Sequence, residues 1–132
     1  KFDSTDANGN KQARAGNRFR LTPMHSYSAG INLDDTKRRF GQLYMAPNTT
    51  YRGKVFFEDT NLPAISEKGQ LLFNLRAGLR LPDDRTEFTV IARNLFDQQY
   101  IIDAGNTGGA FGIPTFIAGA PRFITVQLSR RF

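Results

Sequence analysis

Few residues in this chain are of types that carry chemistry, and their spacing narrows the choice at once. His25 is the single histidine and stands in no metal-ligand pattern. Cysteine is absent, which removes disulfides and thiolate metal sites. The glycine-rich stretch from Gly105 to Gly109 lacks the Lys-Ser/Thr of a phosphate loop, and no helical pattern follows it. No Ser/His/Asp arrangement or carboxylate pair stands out, because the acids fall mostly in turns and loops. No catalytic residue, metal or cofactor is therefore expected. What remains is charge, with 18 Lys and Arg against 12 Asp and Glu and a net charge of +6. Arg52, Lys54, Arg76, Arg80 and Arg93 sit at positions that alternate with apolar residues. A row of cations on one face is an electropositive wall that draws anions; the same row is also what solvated or acid-paired side chains look like.

Strands place those cations. In the last stretch, Ile124, Val126 and Leu128 share a parity with Phe132, while Phe123, Thr125, Gln127, Ser129 and Arg131 share the other. A period of two puts the two sets on opposite faces of a sheet. Residues 70–81 alternate most regularly, with Leu71, Phe73, Leu75, Ala77, Leu79 and Leu81 against Gln70, Asn74, Arg76, Gly78 and Arg80, and Leu72 as the exception. Residues 25–34 set Tyr27, Ala29, Ile31 and Leu33 on one face. Residues 42–57 set Met45, Tyr51, Val55 and Phe57 against Asn48, Thr50, Arg52 and Lys54. From Thr86 to about Leu95, Phe88, Val90 and Ala92 oppose Glu87, Thr89, Ile91 and Arg93. By parity Asp34 and Glu87 join the cations.

The expected strands number about five, with no helical window and no run near the ~20 apolar residues of a membrane helix. Short turns at about 35–41 and 82–85 alternate with long loops at 58–69 and 97–118, and residues 1–22 form a polar arm. Soluble sandwiches seldom sort their connections so regularly, whereas outer-membrane barrels do. Their strands of about 9–11 residues also span a bilayer.

The segment Asn94-Leu95-Phe96-Asp97-Gln-Gln-Tyr100, then a glycine-rich loop, then Gly119-Ala-Pro121-Arg122 and a terminal aromatic strand, resembles the C-terminal end of TonB-dependent outer-membrane receptors. Arg20-Leu-Thr-Pro23-Met-His25 looks like the family's entry to an earlier strand, and Asn61-Leu-Pro63 like the segment before the third-from-last strand. The resemblance runs through nearly the whole chain in the right order. It implies an all-β fold: an antiparallel meander that forms the C-terminal part of a 22-stranded transmembrane β-barrel in the outer membrane of a Gram-negative bacterium. Residues 1–22 are then an extracellular loop or arm and residues 23–132 the last five strands, with plug domain and TonB box absent from this chain. The opening at Lys1 reads as the interior of a longer protein. The implied role is uptake of a scarce nutrient, and the loop from Asp103 tilts it toward a ferric siderophore or other iron complex. Implied partners are the rest of the barrel and the plug, TonB, outer-membrane lipid, the iron-complex ligand, and the barrel-assembly machinery through a terminal strand signalled by Phe132.

On that topology Arg52, Lys54, Arg76, Arg80 and Arg93 face the lumen. Asn94 to Asp97 reads as a strand-end device, with Phe96 and Tyr100 suited to an interfacial aromatic belt. Asn94 falls on the lipid parity, where a bare amide is costly, so a β-bulge near 93–95 or the edge of the membrane layer is expected. The rival class is a soluble basic β-module that binds single-stranded nucleic acid on aromatic platforms. It requires aromatics interleaved with cations on one face; here most of them separate, so no nucleic-acid partner is expected. A small complete barrel of about eight strands would need strands from another chain.

Overall fold

Backbone pairing divides the chain. The computed structural model describes residues 3–5, 8–36, 38–108 and 113–132. Its strands are β1 (Asp3–Thr5), β2 (Lys11–Ala13), β3 (Ser26–Gly30), β4 (Leu33–Asp34), β5 (Gln42–Arg52), β6 (Val55–Phe56), β7 (Ser66–Glu67), β8 (Gln70–Arg80), β9 (Thr86–Arg93), β10 (Ile101–Gly108), β11 (Ile113–Ala118) and β12 (Phe123–Arg130), with one 3-10 turn at Pro63–Ile65. β3, β5, β8, β9 and β12 pair in chain order as one antiparallel sheet, and β4 also pairs with β5. This is the expected all-β meander. The sheet belongs to one unit, Ser26–Arg52, Gln70–Gln99 and Ala120–Phe132; the other unit comprises Lys1–His25, Gly53–Gly69 and Tyr100–Gly119.

β5 and β8 are paired without a break from Gln42↔Arg80 to Arg52↔Gln70. At about 3.4 Å per residue each runs roughly 37 Å. β3 and β4 share one register against β5 but are separated at residues 31–32. Pro47 supplies the reason. Ile31 N–H donates to the Pro47 carbonyl at 3.2 Å, but proline has no N–H to return the bond. β9 and β12 have 8 residues each, so the fourth strand ends at Arg93, short of the expected Leu95.

The turns carry their own chemistry. At the β8–β9 turn the Asp83 carboxylate accepts the N–H groups of Arg85 and Thr86 and the Thr86 hydroxyl at 2.8–3.0 Å. Those bonds, led by the one from Arg85, hold its carboxyl below the ordinary aspartate range. Between β4 and β5, Arg38 and Gly41 exchange backbone bonds of 2.8 and 3.0 Å. Gly41 has φ +128° and lies against the Arg80 carbonyl, so no side chain fits there.

Side chains separate by face. Leu43, Met45, Phe73, Phe88, Val90, Ile124, Val126 and Leu128 share one face and are exposed in this chain. That apolar area exceeds what a soluble monomer usually shows. Tyr27 and Tyr51, directly opposed on β3 and β5, stack there with ring centroids 5.9 Å apart.

The second unit corrects three expectations. Residues 42–57 are not one strand with Val55 and Phe57 beside Met45 and Tyr51. β5 ends at Arg52, and Gly53 donates its N–H to the His25 carbonyl at 2.9 Å. A Cβ at Gly53 would lie 3.1 Å from that carbonyl oxygen, so the close approach ends the alternation. Val55 and Phe57 instead enter a buried cluster with Ile65 and Ala104, each 1–4% exposed. The loop expected at 97–118 contains the β10–β11 hairpin, paired from Ile101↔Ala118 with irregular register. Residues 1–22 contain the β1–β2 hairpin. Their following stretch is tied to residues 56–61: Asn61 bonds both the N–H and the carbonyl of Arg18, at 2.6 and 3.0 Å, and Asn17 bonds the Asp59 carbonyl at 2.7 Å.

Phe57→Ala should cost about 3–5 kcal/mol of local stability by opening a cavity beside Val55. The readout is a loss of hydrogen-exchange protection at the amides of Phe57 and Ile65, and unchanged protection would contradict the cluster's role. Because the Asp83 carboxyl is depressed in the folded chain, its contribution is fully present above the unfolded value of about 3.9 and is lost as pH falls through the lower folded value. Protection of the Thr86 amide should therefore fall in acid, and Asp83→Asn should weaken it at neutral pH and flatten its dependence on pH.

Candidate functional site: the polar face of the sheet

Tyr44 organises the polar face. It lies opposite Gly78 in the β5–β8 register. A Cβ at Gly78 would come within 2.5 Å of the Tyr44 ring and of the Phe88 carbonyl, so glycine there makes room for the ring. The Arg80 and Arg76 guanidinium carbons sit 4.7 and 5.6 Å from the ring centroid. The hydroxyl donates to Glu87 Oε1 at 2.5 Å and lies 2.7 Å from Thr89 Oγ1. Glu87 pairs with Arg76 at 3.6 Å, and Asp34 pairs with Arg80 at 3.5 Å. Tyr44 and Thr89 are buried while the arginines are about half exposed. Each ion pair is therefore worth only about 0–1 kcal/mol. A pocket of about 230 Å³ opens beside them, lined by Asn32, Asp34, Tyr44, Ala46, Arg76 and Arg80.

Chemically this is a hydrogen-bonding wall. Each guanidinium carries five N–H donors in a planar fork, more than one carboxylate occupies. The fork suits anionic oxygens. Among the described residues no group of three His, Cys, Asp or Glu is placed to hold a metal. His25 serves through its carbonyl, which accepts the Gly53 N–H.

Of the five cations singled out in the sequence, Arg76 and Arg80 come together around Tyr44. Arg52 is at the opposite end of β5, paired in register with Ser26 and Gln70. Arg93 closes β9 opposite Phe123. Lys54 belongs to the other unit, with its Nζ 4.6 Å from the Phe56 ring centroid. Attention to cations alone misses Tyr44 and Thr89. Tyr44 shares the parity of Asn48, Thr50 and Arg52, and an aromatic on a polar parity was the available signal.

Asn48 Oδ1 accepts from Asn74 Nδ2 at 2.9 Å, and Asn74 Oδ1 accepts the Asn94 N–H at 3.0 Å. This amide chain crosses from β5 through β8 to the end of β9. The Leu75↔Ala92 register would set residue 94 opposite Phe73, yet it is Leu95 N–H that donates to the Phe73 carbonyl, at 2.8 Å. That offset of one residue has the form of a β-bulge. Asn94 has φ +48° and is buried. Its Nδ2 donates to the carbonyls of Gln98 and Ala120 at 2.9 and 3.0 Å, and its Oδ1 accepts the Gln98 N–H at 2.8 Å.

Phe96 meets Phe73 edge to face at 5.0 Å. Asp97, at φ +55°, accepts the Arg122 N–H at 2.8 Å. Pro121 is exposed between these anchored backbones. In the other unit the Tyr100 carbonyl accepts the Gly119 N–H at 2.8 Å, and its ring covers Gly119 so closely that no Cβ fits. Phe132 is fully exposed beyond the end of β12, its ring centroid 5.9 Å from the Arg130 guanidinium carbon.

No family model and no curated protein sequence matches the chain. Its fold is similar to that of the ferric yersiniabactin uptake receptor FyuA from Yersinia pestis, with a TM-score of 0.80 at 18% identity over 93% of this chain. The match covers 18% of the receptor, so the chain spans less than a fifth of that protein's length.

Asn94→Gly keeps the left-handed backbone but strips the amide, leaving buried backbone groups unpaired; the expected loss is about 2 kcal/mol. Asn94→Ala adds a left-handed alanine and should lose roughly 1–2 kcal/mol more. Denaturant titration of the folded protein checks both, and equal stabilities for the two variants would contradict the backbone assignment.

Proposed function

We propose that this chain is the C-terminal wall segment of a TonB-dependent outer-membrane receptor that imports an iron chelate. The observation that carries this reading is the fold likeness to a ferric chelate receptor over 93% of the chain. The exposed apolar face, the alternation of short turns with long connections, and the clasped motif from Asn94 to Tyr100 agree with it. On this reading residues 23–132 supply the last five strands. The apolar face meets outer-membrane lipid, and the turns at 35–41 and 82–85 are periplasmic. Residues 1–22, 58–69 and 97–118 lie outside. Arg52, Lys54, Arg76, Arg80 and Arg93 face the lumen. Arg76 and Arg80, spread over Tyr44, present N–H groups to the anionic oxygens of a passing chelate. The plug, TonB and the remaining strands belong to the rest of the protein. β12, ending beside Phe132, is the strand offered to the assembly machinery. The ligand class follows the similar receptor, which takes up ferric yersiniabactin.

The test uses the full-length protein in membranes. Spin labels at Leu71, Phe73, Val90, Ile124 and Val126 should be relaxed by lipid-soluble oxygen, and labels at Arg76, Arg93 and Gln127 should not. The reverse pattern sinks the barrel. Cells relying on this receptor should take up radioactive ferric chelate only when TonB is present, and Arg76→Glu with Arg80→Glu should slow capture about tenfold. Uptake that persists without TonB would remove the receptor class.

A further inference from the structure

Phe123 is an aromatic on the polar face that the cluster around Tyr44 does not absorb. It pairs directly with Arg93 at the end of the sheet remote from the short turns, and two residues along Thr125 pairs with Ile91. Directly opposed residues share a face, with Cβ atoms about 4.5–5.5 Å apart. Farther down β9 the same parity carries Thr89 and Glu87, whose side chains meet the Tyr44 hydroxyl, so this is the polar face. Phe123, Arg93, Ile91 and Thr125 therefore form one patch there, all within the sheet unit.

The patch differs from its neighbour in what is left uncovered. The Tyr44 ring lies beneath two guanidinium groups and its hydroxyl is bonded. The Phe123 ring is 62% exposed and has no aromatic or cationic partner among the described residues. Arg93 is exposed too, and its guanidinium has no carboxylate partner among the described residues. Arg76, across from Ile91, is engaged elsewhere, with Tyr44 and Glu87. Arg93 is thus the cation that serves this patch, with Ile91 and Thr125 half-buried beside it. Parity keeps Phe123 off the apolar side, so its ring has no place in a lipid-facing aromatic belt.

We infer that Phe123 and Arg93 hold a flat, anionic aromatic group, of the catecholate or phenolate type, on the incoming iron chelate. The inference rests on the receptor reading above and narrows its ligand to chelates with aromatic donor rings. The ring of the ligand lies against Phe123, with Ile91 as an apolar shoulder. The charged oxygens at its edge take the planar N–H fork of Arg93. Shape and charge together select this occupant. An aliphatic anion would engage Arg93 and leave the aromatic ring in water, and a neutral aromatic would cover the ring and leave the guanidinium unmatched.

The full-length receptor in detergent is dialysed to equilibrium against radioactive ferric catecholate or ferric citrate, two anionic probes of which only the first has rings. The wild type should bind the catecholate about fivefold more tightly. Phe123→Leu should remove that preference by weakening the catecholate alone, and Phe123→Tyr should keep it. Arg93→Gln should weaken both probes about fivefold, with Arg93→Lys less affected. Gln127→Ala, on the same face of β12 but away from the patch, should leave both affinities unchanged. Each variant is assayed as a heat-modifiable barrel, and the exposed, conservative change Phe123→Tyr keeps the test open where Phe123→Leu does not fold. A Phe123→Leu receptor that binds both probes as the wild type does, whether or not its melting temperature falls, overturns the inference. A wild type that binds neither probe, or prefers citrate, overturns it as well. None of these results removes the receptor reading, which falls only if iron uptake persists without TonB.

Discussion

The β5–β8 ladder is the constraint on which everything else depends. Its unbroken register from Gln42↔Arg80 to Arg52↔Gln70 decides which side chains share a face. A slip of β8 by one residue would turn Arg76 to the apolar side and Leu79 to the polar side. Tyr44 over Gly78 guards against that slip. The ring fits only opposite a residue without a side chain, and its hydroxyl reaches Glu87 and Thr89 only in this register. Face separation across the sheet thus follows from one pairing and one aromatic.

At the opposite end of the strands, the amide chain from Asn48 through Asn74 to Asn94 does related work with neutral groups. It finishes β9 with a one-residue offset and lets the backbone reverse without an unpaired N–H. The cost of a left-handed asparagine is small beside the buried amides it satisfies. The two ends of the sheet therefore differ in kind: charged and solvated at the short turns, amide-bonded and buried at Asn94.

Much of the sheet was legible because its alternation is set by burial on one side only. Residues 70–81 name their faces one by one, and the conflict at Asn94 was visible as an amide on an apolar parity. Its partners were not, since Asn74 and Ala120 lie far off in sequence and offer backbone or amide groups that leave no pattern. The β10–β11 hairpin was missed for a similar reason. Its residues from Asp103 to Gly108 are mostly small or polar, so pairing there rests on peptide groups and not on alternating side chains. Val55 and Phe57 were assigned to the wrong environment because parity was carried through Gly53, where the backbone packs against His25 and the periodicity ends. Arg76 and Arg80 were readable as a pair on one face; the aromatic between them needed the register.

The clasp at the base of the β10–β11 connection has one more consequence. Asn94 and Asp97 grip only main-chain atoms, namely the Gln98 carbonyl and amide, the Ala120 carbonyl and the Arg122 amide. Main-chain atoms are the same for every residue but proline, which lacks the N–H that Gln98 and Arg122 supply. The fastening therefore does not depend on the side chains that follow Gln98 or precede Ala120. A connection of different length or composition can be spliced between those points while β9 and β12 keep their pairing. The sheet keeps its two ends, and the length of chain between them is free to change.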